Sequence, residues 1–366
     1  MNRVSICPGS RDNELRGTKT HGEIMSTAYV YDPLYLEHNR WGHVERPERL
    51  EMTMQVLEDT GLPDRLVKVE ATPVPKEHLL EVHPQQYIDQ VKQVAARGGG
   101  NLDPDTYVND RSYEVALLAA GGMLNLVQAV LEGRVNNGFA LVRPPGHHAM
   151  PNRGMGFCIF NNVAVAAKYA LTQDGLSRIL IVDFDLHHGN STHEVFYDTS
   201  KVLYFSTHQY PYYPGTGHWD SIGRDDGEGF TVNVPLPPGV GDEGYGRIFD
   251  EILYPLAERY RPELILVSAG YDAHWADPLG MMRISTAGYE YLTRTLREMA
   301  DEFCHGRLVF TLEGGYDLEA LARSIAATLQ TLLGDEEIND LLGPSPRPGM
   351  SIEDIIVQIK GIHRLV

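Results

Sequence analysis

Two carboxylates and an imidazole alternate at Asp183, Asp185 and His187 in the run DFDLHHGN. They close the apolar segment Ile179–Asp183 (ILIVD), which has the β-branched composition of a buried strand. On an extended chain alternate side chains share a side, so all three are expected to face one way. Left alone, the carboxylates would repel each other and be costly to desolvate; a divalent cation removes that conflict. A catalytic metal needs a third protein ligand and an open position. The apolar run Leu264–Ala269 (LILVSA) leads into Gly270-Tyr271-Asp272. An Asp after a strand is commonly a helix cap, but beside Asp185 and His187 it completes a two-carboxylate, one-imidazole set. That set takes Zn²⁺ and is also comfortable for Fe²⁺ or Co²⁺.

Two other strand ends carry chemistry. Gly138–Val142 runs into RPPGHHA, in which two prolines stiffen the turn and Gly146 permits a tight approach, delivering His147 and His148 as candidate general base and acid. Leu308–Leu312 ends in EGGYD, which places the Tyr316 phenol where it can donate to a developing oxyanion. Other signals carry nothing. His193-Glu194 opens like a metalloprotease helix but lacks the second histidine, and no GxGxxG or P-loop occurs. His21, His38, His78, His305 and His363 have no motif around them and are expected at the surface.

The elements that must position these groups alternate along the chain. The strands named above, together with Val202–Thr207 and a strand opening near Met25, alternate with helices expected at Pro47–Thr60, Ser112–Glu132, Asn161–Gln173, Gly244–Tyr260, Thr286–Phe303 and Leu318–Leu333. This pattern indicates an α/β fold, one mostly parallel sheet with helices on both faces, whose ligands bind beyond the carboxyl ends of the strands. No repeat or linker divides the 366 residues. We expect an N-terminal extension over 1–24, a single catalytic domain over 25–342, and a loop and helix over 343–366 that pack on it.

Apolar residues at 42% and charged residues at 22% are ordinary for a globular protein with a sizeable core. No stretch approaches the roughly 18 uninterrupted apolar residues of a membrane span, so no membrane partner is expected. The N-terminus lacks the apolar core of a secretory signal. Three scattered cysteines, Cys7, Cys158 and Cys304, suit a reduced, cytoplasmic location. The net charge of −19 argues against nucleic acid as a partner and is compatible with cationic substrates such as polyamines or lysine-rich tails.

Taken together and in order, HVERPERL, RPPGHHA, GFCIFNN, DFDLHHGN, SAGYDAH with DPLG following, and LEGGYDL resemble the histone deacetylase superfamily, which includes the acetylpolyamine amidohydrolases. The HVERPERL and LEGGYDL forms look closer to class II-like and bacterial members than to class I. The resemblance implies the arginase/deacetylase fold with about eight strands, and metal-assisted amide hydrolysis. It implies metal ligands Asp185, His187 and Asp272, and tandem active-site histidines His147 and His148, with His148 as the base. Asp183 would orient His147. Asn190, where many relatives have Asp, would orient His148. Tyr316 would bind the carbonyl oxygen. It further implies a structural K⁺ held by Asp183, Asp185, His187 and Ser206, partly through backbone carbonyls. A substrate tunnel would be formed by Phe157, Tyr213, Leu279 and Gly315; many relatives have Phe where Tyr213 stands.

The substrate implied is an acetylated or acylated lysine, with an acetylpolyamine as the alternative; the acidic segment Gly98–Asp110 fits either. Less in keeping are an arginase-like ureohydrolase, because DFDLHHGN lacks the carboxylates for a second catalytic metal, and a silent acyl-lysine binder, because every active-site residue is present. The oligomeric state is left open.

Overall fold

The computed structural model describes residues 26–173 and 175–365; the expected extension over 1–24 lies outside them. Among the described residues ten strands are formed: β1 (Thr27–Val30), β2 (Val67–Lys68), β3 (Gly99–Asn101), β4 (Tyr107–Asn109), β5 (Asn137–Ala140), β6 (Ile179–Asp183), β7 (Val202–Gln209), β8 (Thr231–Leu236), β9 (Leu264–Ala269) and β10 (Leu308–Leu312). Eight of them build one sheet in the order β2-β1-β5-β10-β9-β6-β7-β8. Every neighbouring pair in it is parallel. Helices cover both faces, so β6 and β9 are buried along their whole length, which is why ILIVD and LILVSA are continuous apolar runs rather than alternating ones.

Two sheet strands were not legible beforehand. β2 has only two residues, both exposed. β8 (TVNVPL) contains Pro235, which cannot donate to a ladder and so demotes a strand reading. β8 is an edge strand, and only an edge tolerates that loss. β3 and β4 form a separate antiparallel hairpin inside the acidic segment Gly98–Asp110.

The helix expected over Gly244–Tyr260 is instead a helix over Asp242–Ile248, a π turn over Phe249–Leu253 and a helix over Tyr254–Tyr260. Pro255, which brings no amide hydrogen, lies just after the wide turn. The helices Lys76–Leu80 and Gln85–Ala96 were not singled out, although the second buries Tyr87, Ile88, Val91 and Ala95 at helical spacing.

Helix Ser112–Leu131 is long and apolar enough to cross a bilayer by length and composition, although Asn125 and Gln128 interrupt its apolar run. Most of it is buried in the fold, where a core helix must be apolar all round. The surface assignment fails for two histidines. His38 is 1% exposed, bonds Ser112 Oγ through Nδ1 at 2.7 Å and stacks on Tyr107, while His363 is buried at the end of the C-terminal helix Glu353–His363. That helix docks Ile356 and Ile359 into the core, with Ile352 buried just ahead of it.

Candidate active site

The four strands whose ends carry chemistry lie side by side at the centre of the sheet, as β5-β10-β9-β6. Their carboxyl ends therefore open on one place.

At the end of β6 the chain stops being extended. Asp183 Oδ1 accepts the amide of Asp185, and Asp185 Oδ1 accepts the amide of His187. This turn, rather than strand alternation, brings Asp185 and His187 together, while Asp183 faces His147 and Tyr204. His187 Nδ1 lies 3.2 Å from Asp185 Oδ1 and 3.1 Å from Asp272 Oδ2. The ligand atoms of Asp185, His187 and Asp272 all fall within 4.8 Å of one another. Asp272 Oδ1 accepts the Leu186 amide, while its buried Oδ2 makes no well-aligned hydrogen bond and meets only the 3.1 Å approach of His187 Nδ1. Glycine is required around this cluster, since a Cβ on Gly270 would meet Asp185 Oδ2 at 2.0 Å and one on Gly314 would meet Asp272 Oδ2 at 2.3 Å.

The two histidines have different partners. His147 Nδ1 is 3.1 Å from Asp183 Oδ2, and His148 Nδ1 is 2.7 Å from Asn190 Oδ1. Burial by itself would lower the His147 pKa, but Asp183, Asp185 and Glu313 outweigh it and raise it well above the ordinary histidine value. Burial, and then the neighbouring His147 and His187, hold His148 well below it. Burial also opposes charge on His187, yet the adjoining carboxylates of Asp185 and Asp272 raise it to about 9. That proton marks a position where the two carboxylates call for positive charge.

The loop after β10 is fastened on several sides. Glu313 accepts the Gly146 amide at 2.7 Å, the His147 amide at 3.1 Å and the Ser268 hydroxyl at 3.0 Å, tying the histidine loop to β9. The Arg49 guanidinium donates to the carbonyls of Gly315 (2.7 Å) and Glu313 (2.6 Å) and lies under the Tyr316 ring. Asp277 takes the Tyr316 amide at 2.6 Å. Glu45 is buried between Arg49 and Arg143. Burial would raise its pKa, but Arg143 and then Arg49 bring it down to about 2. Arg143 also donates to the carbonyls of Tyr35 and His38, each at 2.9 Å. Sequence reading assigned no role to Glu45, Arg49, Arg143, Glu313 or Asp277. The available signal was the charge density of HVERPERL beside otherwise apolar structure.

A pocket of about 210 Å³ joins these groups, lined by His147, His148, Asp185, His187, Tyr316, Phe157, Tyr213 and Leu279 among others. Phe157 has φ of 68° and packs edge-on to Tyr316, while Tyr213 packs edge-on to His148. Gly315, also expected on the wall, is replaced there by Gly314; a side chain on Gly315 would point at Leu321 and Tyr271. Tyr212 and Asp105 are wall residues that went unforeseen. Tyr212 stacks on His187 and donates its hydroxyl to the Leu279 carbonyl at 2.6 Å, and exposed Asp105 stands on the hairpin loop. Ser206 lies opposite Asp183 in the sheet register, with its hydroxyl 2.9 Å from His208 Nδ1.

A neutral base, a phenol and a cluster of carboxylates with an imidazole, converging on one narrow pocket, suit the addition of water to an amide carbonyl. On a parallel eight-stranded sheet, this places the protein in the arginase/deacetylase class of hydrolases. The comparisons narrow the class. A family model described as histone deacetylase domain matches residues 43–332. A probable deacetylase of Archaeoglobus fulgidus is 45% identical over 298 residues, covering 81% of this chain and 82% of the relative. The human polyamine deacetylase HDAC10 is 41% identical over 328 residues, covering 86% of this chain and 47% of that protein. The crystal structure of the HDA15 HD domain superposes with a TM-score of 0.86 at 38% identity, covering 93% of this chain and 95% of that one. The chain belongs to the histone deacetylase family and is a deacetylase.

Proposed function

We propose that the protein hydrolyses the side-chain amide of acyl-lysine in polypeptides, using one Zn²⁺ held by Asp185, His187 and Asp272. The buried Asp272 Oδ2 supports this: its only polar neighbour is the poorly aligned His187 imidazole, itself a ligand candidate, and a cation between the two would satisfy both. The donor set of two carboxylates and an imidazole fits Zn²⁺, and Fe²⁺ or Co²⁺ would be held by the same atoms. Such an ion supplies a Lewis acid that polarises the amide carbonyl and acidifies water.

The remaining roles belong to the chain. Asn190 Oδ1 can only accept, so His148 carries its proton on Nδ1 and presents Nε2 as a free base. The depressed pKa of His148 keeps that base neutral near pH 7. The His147 imidazolium, held by Asp183, is the nearby proton reserve for the departing amine. The Tyr316 hydroxyl donates to the carbonyl oxygen as it gains charge. A structural K⁺ held by Asp183, Asp185, His187 and Ser206 belongs to the same reading, supported by the register that sets Ser206 beside Asp183.

The observation that carries the acyl-lysine reading is the convergence of both histidines, Asp185 and His187 of the ligand cluster, and Tyr316 on one pocket walled by Phe157, Tyr212, Tyr213 and Leu279. Those walls suit an uncharged alkyl stem. Trp41, fully exposed two residues from the His43 ring that packs on Phe157, offers apolar surface to a chain flanking the lysine. Acetylpolyamine is the second reading, favoured by Asp105 at the pocket and by the human relative's stated substrate. Measuring kcat/KM on an acetyl-lysine peptide and on acetylspermidine, with chelator and then with metal restored, separates the two. A higher value for the peptide is expected; a higher value for acetylspermidine would reverse the assignment.

A further inference from the structure

Asp277 is 6% exposed and lies in the segment that follows Asp272. Its Oδ2 accepts the backbone amides of Tyr316 at 2.6 Å and Asp317 at 3.1 Å. Its Oδ1 accepts the amide of Leu279 at 2.9 Å. Among the described residues no Lys, Arg or His side chain pairs with it, so three backbone amides alone satisfy a buried carboxylate. Burying a carboxylate without a cation is expensive, and a neutral side chain would fill the space at lower cost. What a carboxylate does that an amide cannot is accept hydrogen bonds on both sides at once.

The two sides serve different parts of the pocket. On the Oδ2 side, Tyr316 is held from above by Asp277 and from below by Arg49, which bonds the Gly315 carbonyl and underlies the ring. Asp317 then caps the helix Leu318–Leu333 through the Ala320 amide. On the Oδ1 side, Leu279 is pinned between Asp277 and the Tyr212 hydroxyl, and Tyr212 stacks on His187. Tyr316 and Leu279 both line the pocket.

We propose that Asp277 is a positioning residue that sets the Tyr316 phenol and the Leu279 wall with a single carboxylate, so that turnover and substrate selection are coupled through it. This rests on the acyl-amide hydrolase reading above. In the variant Asp277→Asn the Nδ2 group must face a backbone N–H, so one arm is lost whichever way the amide turns. Because a displaced phenol is the cause, the loss should depend on the phenol being there.

The test is a double-mutant cycle. On an acetyl-lysine peptide, Asp277→Asn should lower kcat by about 10- to 100-fold in the native background and by less than about 3-fold in a Tyr316→Phe background. The ratio of kcat/KM for the peptide to that for free Nε-acetyl-lysine should also shift, and the shift should disappear in a Leu279→Ala background. Losses that multiply independently in both cycles would overturn the proposal, since a merely structural residue would act alike in every background. If Asp277→Asn does not fold, Asp277→Ser, which keeps a small acceptor, enters the same cycles under the same criteria.

Hydrogen exchange on the folded protein gives a readout independent of activity. The amides of Tyr316, Asp317 or Leu279 should lose protection in the variant, while the amides of β6 keep theirs. Unchanged protection on both arms would overturn the clamp. Should the native protein hydrolyse no acyl-lysine amide, the functional reading falls, and the exchange data still decide whether Asp277 holds the two loops.

Discussion

Asn190 presents its side-chain oxygen to His148 Nδ1 at 2.7 Å, while its Nδ2 faces the Met150 sulfur at 3.1 Å and the Met155 sulfur at 3.7 Å. The amide is thus held by one strong and two weak contacts in the orientation that makes it an acceptor, and it selects the histidine tautomer without adding charge. Burial and the positive neighbours His147 and His187 then keep His148 neutral.

Replacing Asn190 tests that arrangement in two directions. Asn190→Asp places a negative charge on the imidazole and raises its pKa, so the acid limb of the kcat/KM–pH profile moves to higher pH. Asn190→Ala leaves a buried donor unpaired, a loss of about 1–3 kcal/mol, and should lower kcat/KM by roughly 10- to 100-fold. Steady-state kinetics across pH on a fluorogenic acetyl-lysine peptide measures both.

Tyr316→Phe removes a donor aimed at the reacting carbonyl while keeping the ring over Arg49. Its kcat should fall by about 10²–10³-fold with little change in thermal stability. Turnover equal to that of the native protein would remove Tyr316 from the mechanism.

Metal removal should abolish turnover, and one divalent ion per chain should restore it. Because an ion that binds only the folded state stabilises it, adding Zn²⁺ to the stripped protein should raise the melting temperature. Asp272→Ala and His187→Ala should abolish that rise, measured by differential scanning fluorimetry together with metal analysis.

Stability should fall steadily on acidification below neutral pH. Burial lowers His38 and His208 to about 3 and His83 to about 4, so each is neutral in the folded protein. Their folded values lie below the unfolded value of 6.5. The unfolded chain therefore takes the proton first, and their stabilisation is complete above pH 6.5 and is lost as the pH falls towards 3–4. Each contributes a slope of up to about 1.4 kcal/mol per pH unit in that window. Glu45, depressed to about 2, acts in the same direction lower down, its contribution being full above pH 4.5 and lost as pH falls through 2. Urea midpoints taken from pH 8 to pH 4 check the histidine part.

Glu45→Gln tests the buried cluster directly. It leaves two buried guanidinium groups, those of Arg49 and Arg143, without their shared carboxylate. Destabilisation of about 3–5 kcal/mol in chemical denaturation is expected, since breaking a buried ion pair uncovers the full desolvation penalty.

Local chemistry made much of this protein legible from its sequence. ILIVD and LILVSA announced buried parallel strands because both faces of such strands are covered. Asp185, His187, Asp272, His147, His148 and Tyr316 announced a site because apolar strands have no use for such groups at their ends. The histone deacetylase resemblance rested on those same residues.

Other features depended on neighbours that no local pattern names. The order β5-β10-β9-β6, which makes four separate strand ends one site, is decided by how helices pack on the sheet. The contact of Arg49 with Gly315 spans 266 positions, and that of Asp277 with Tyr316 spans 39. Sequence periodicity reports which face of an element is buried, not which distant carbonyl or amide will meet it. The types of the reacting groups were therefore readable along the chain. Their orientation, through Glu45, Glu313, Asp277 and the turn after Asp183, arose only when tertiary packing excluded water and each buried polar group had to find a partner.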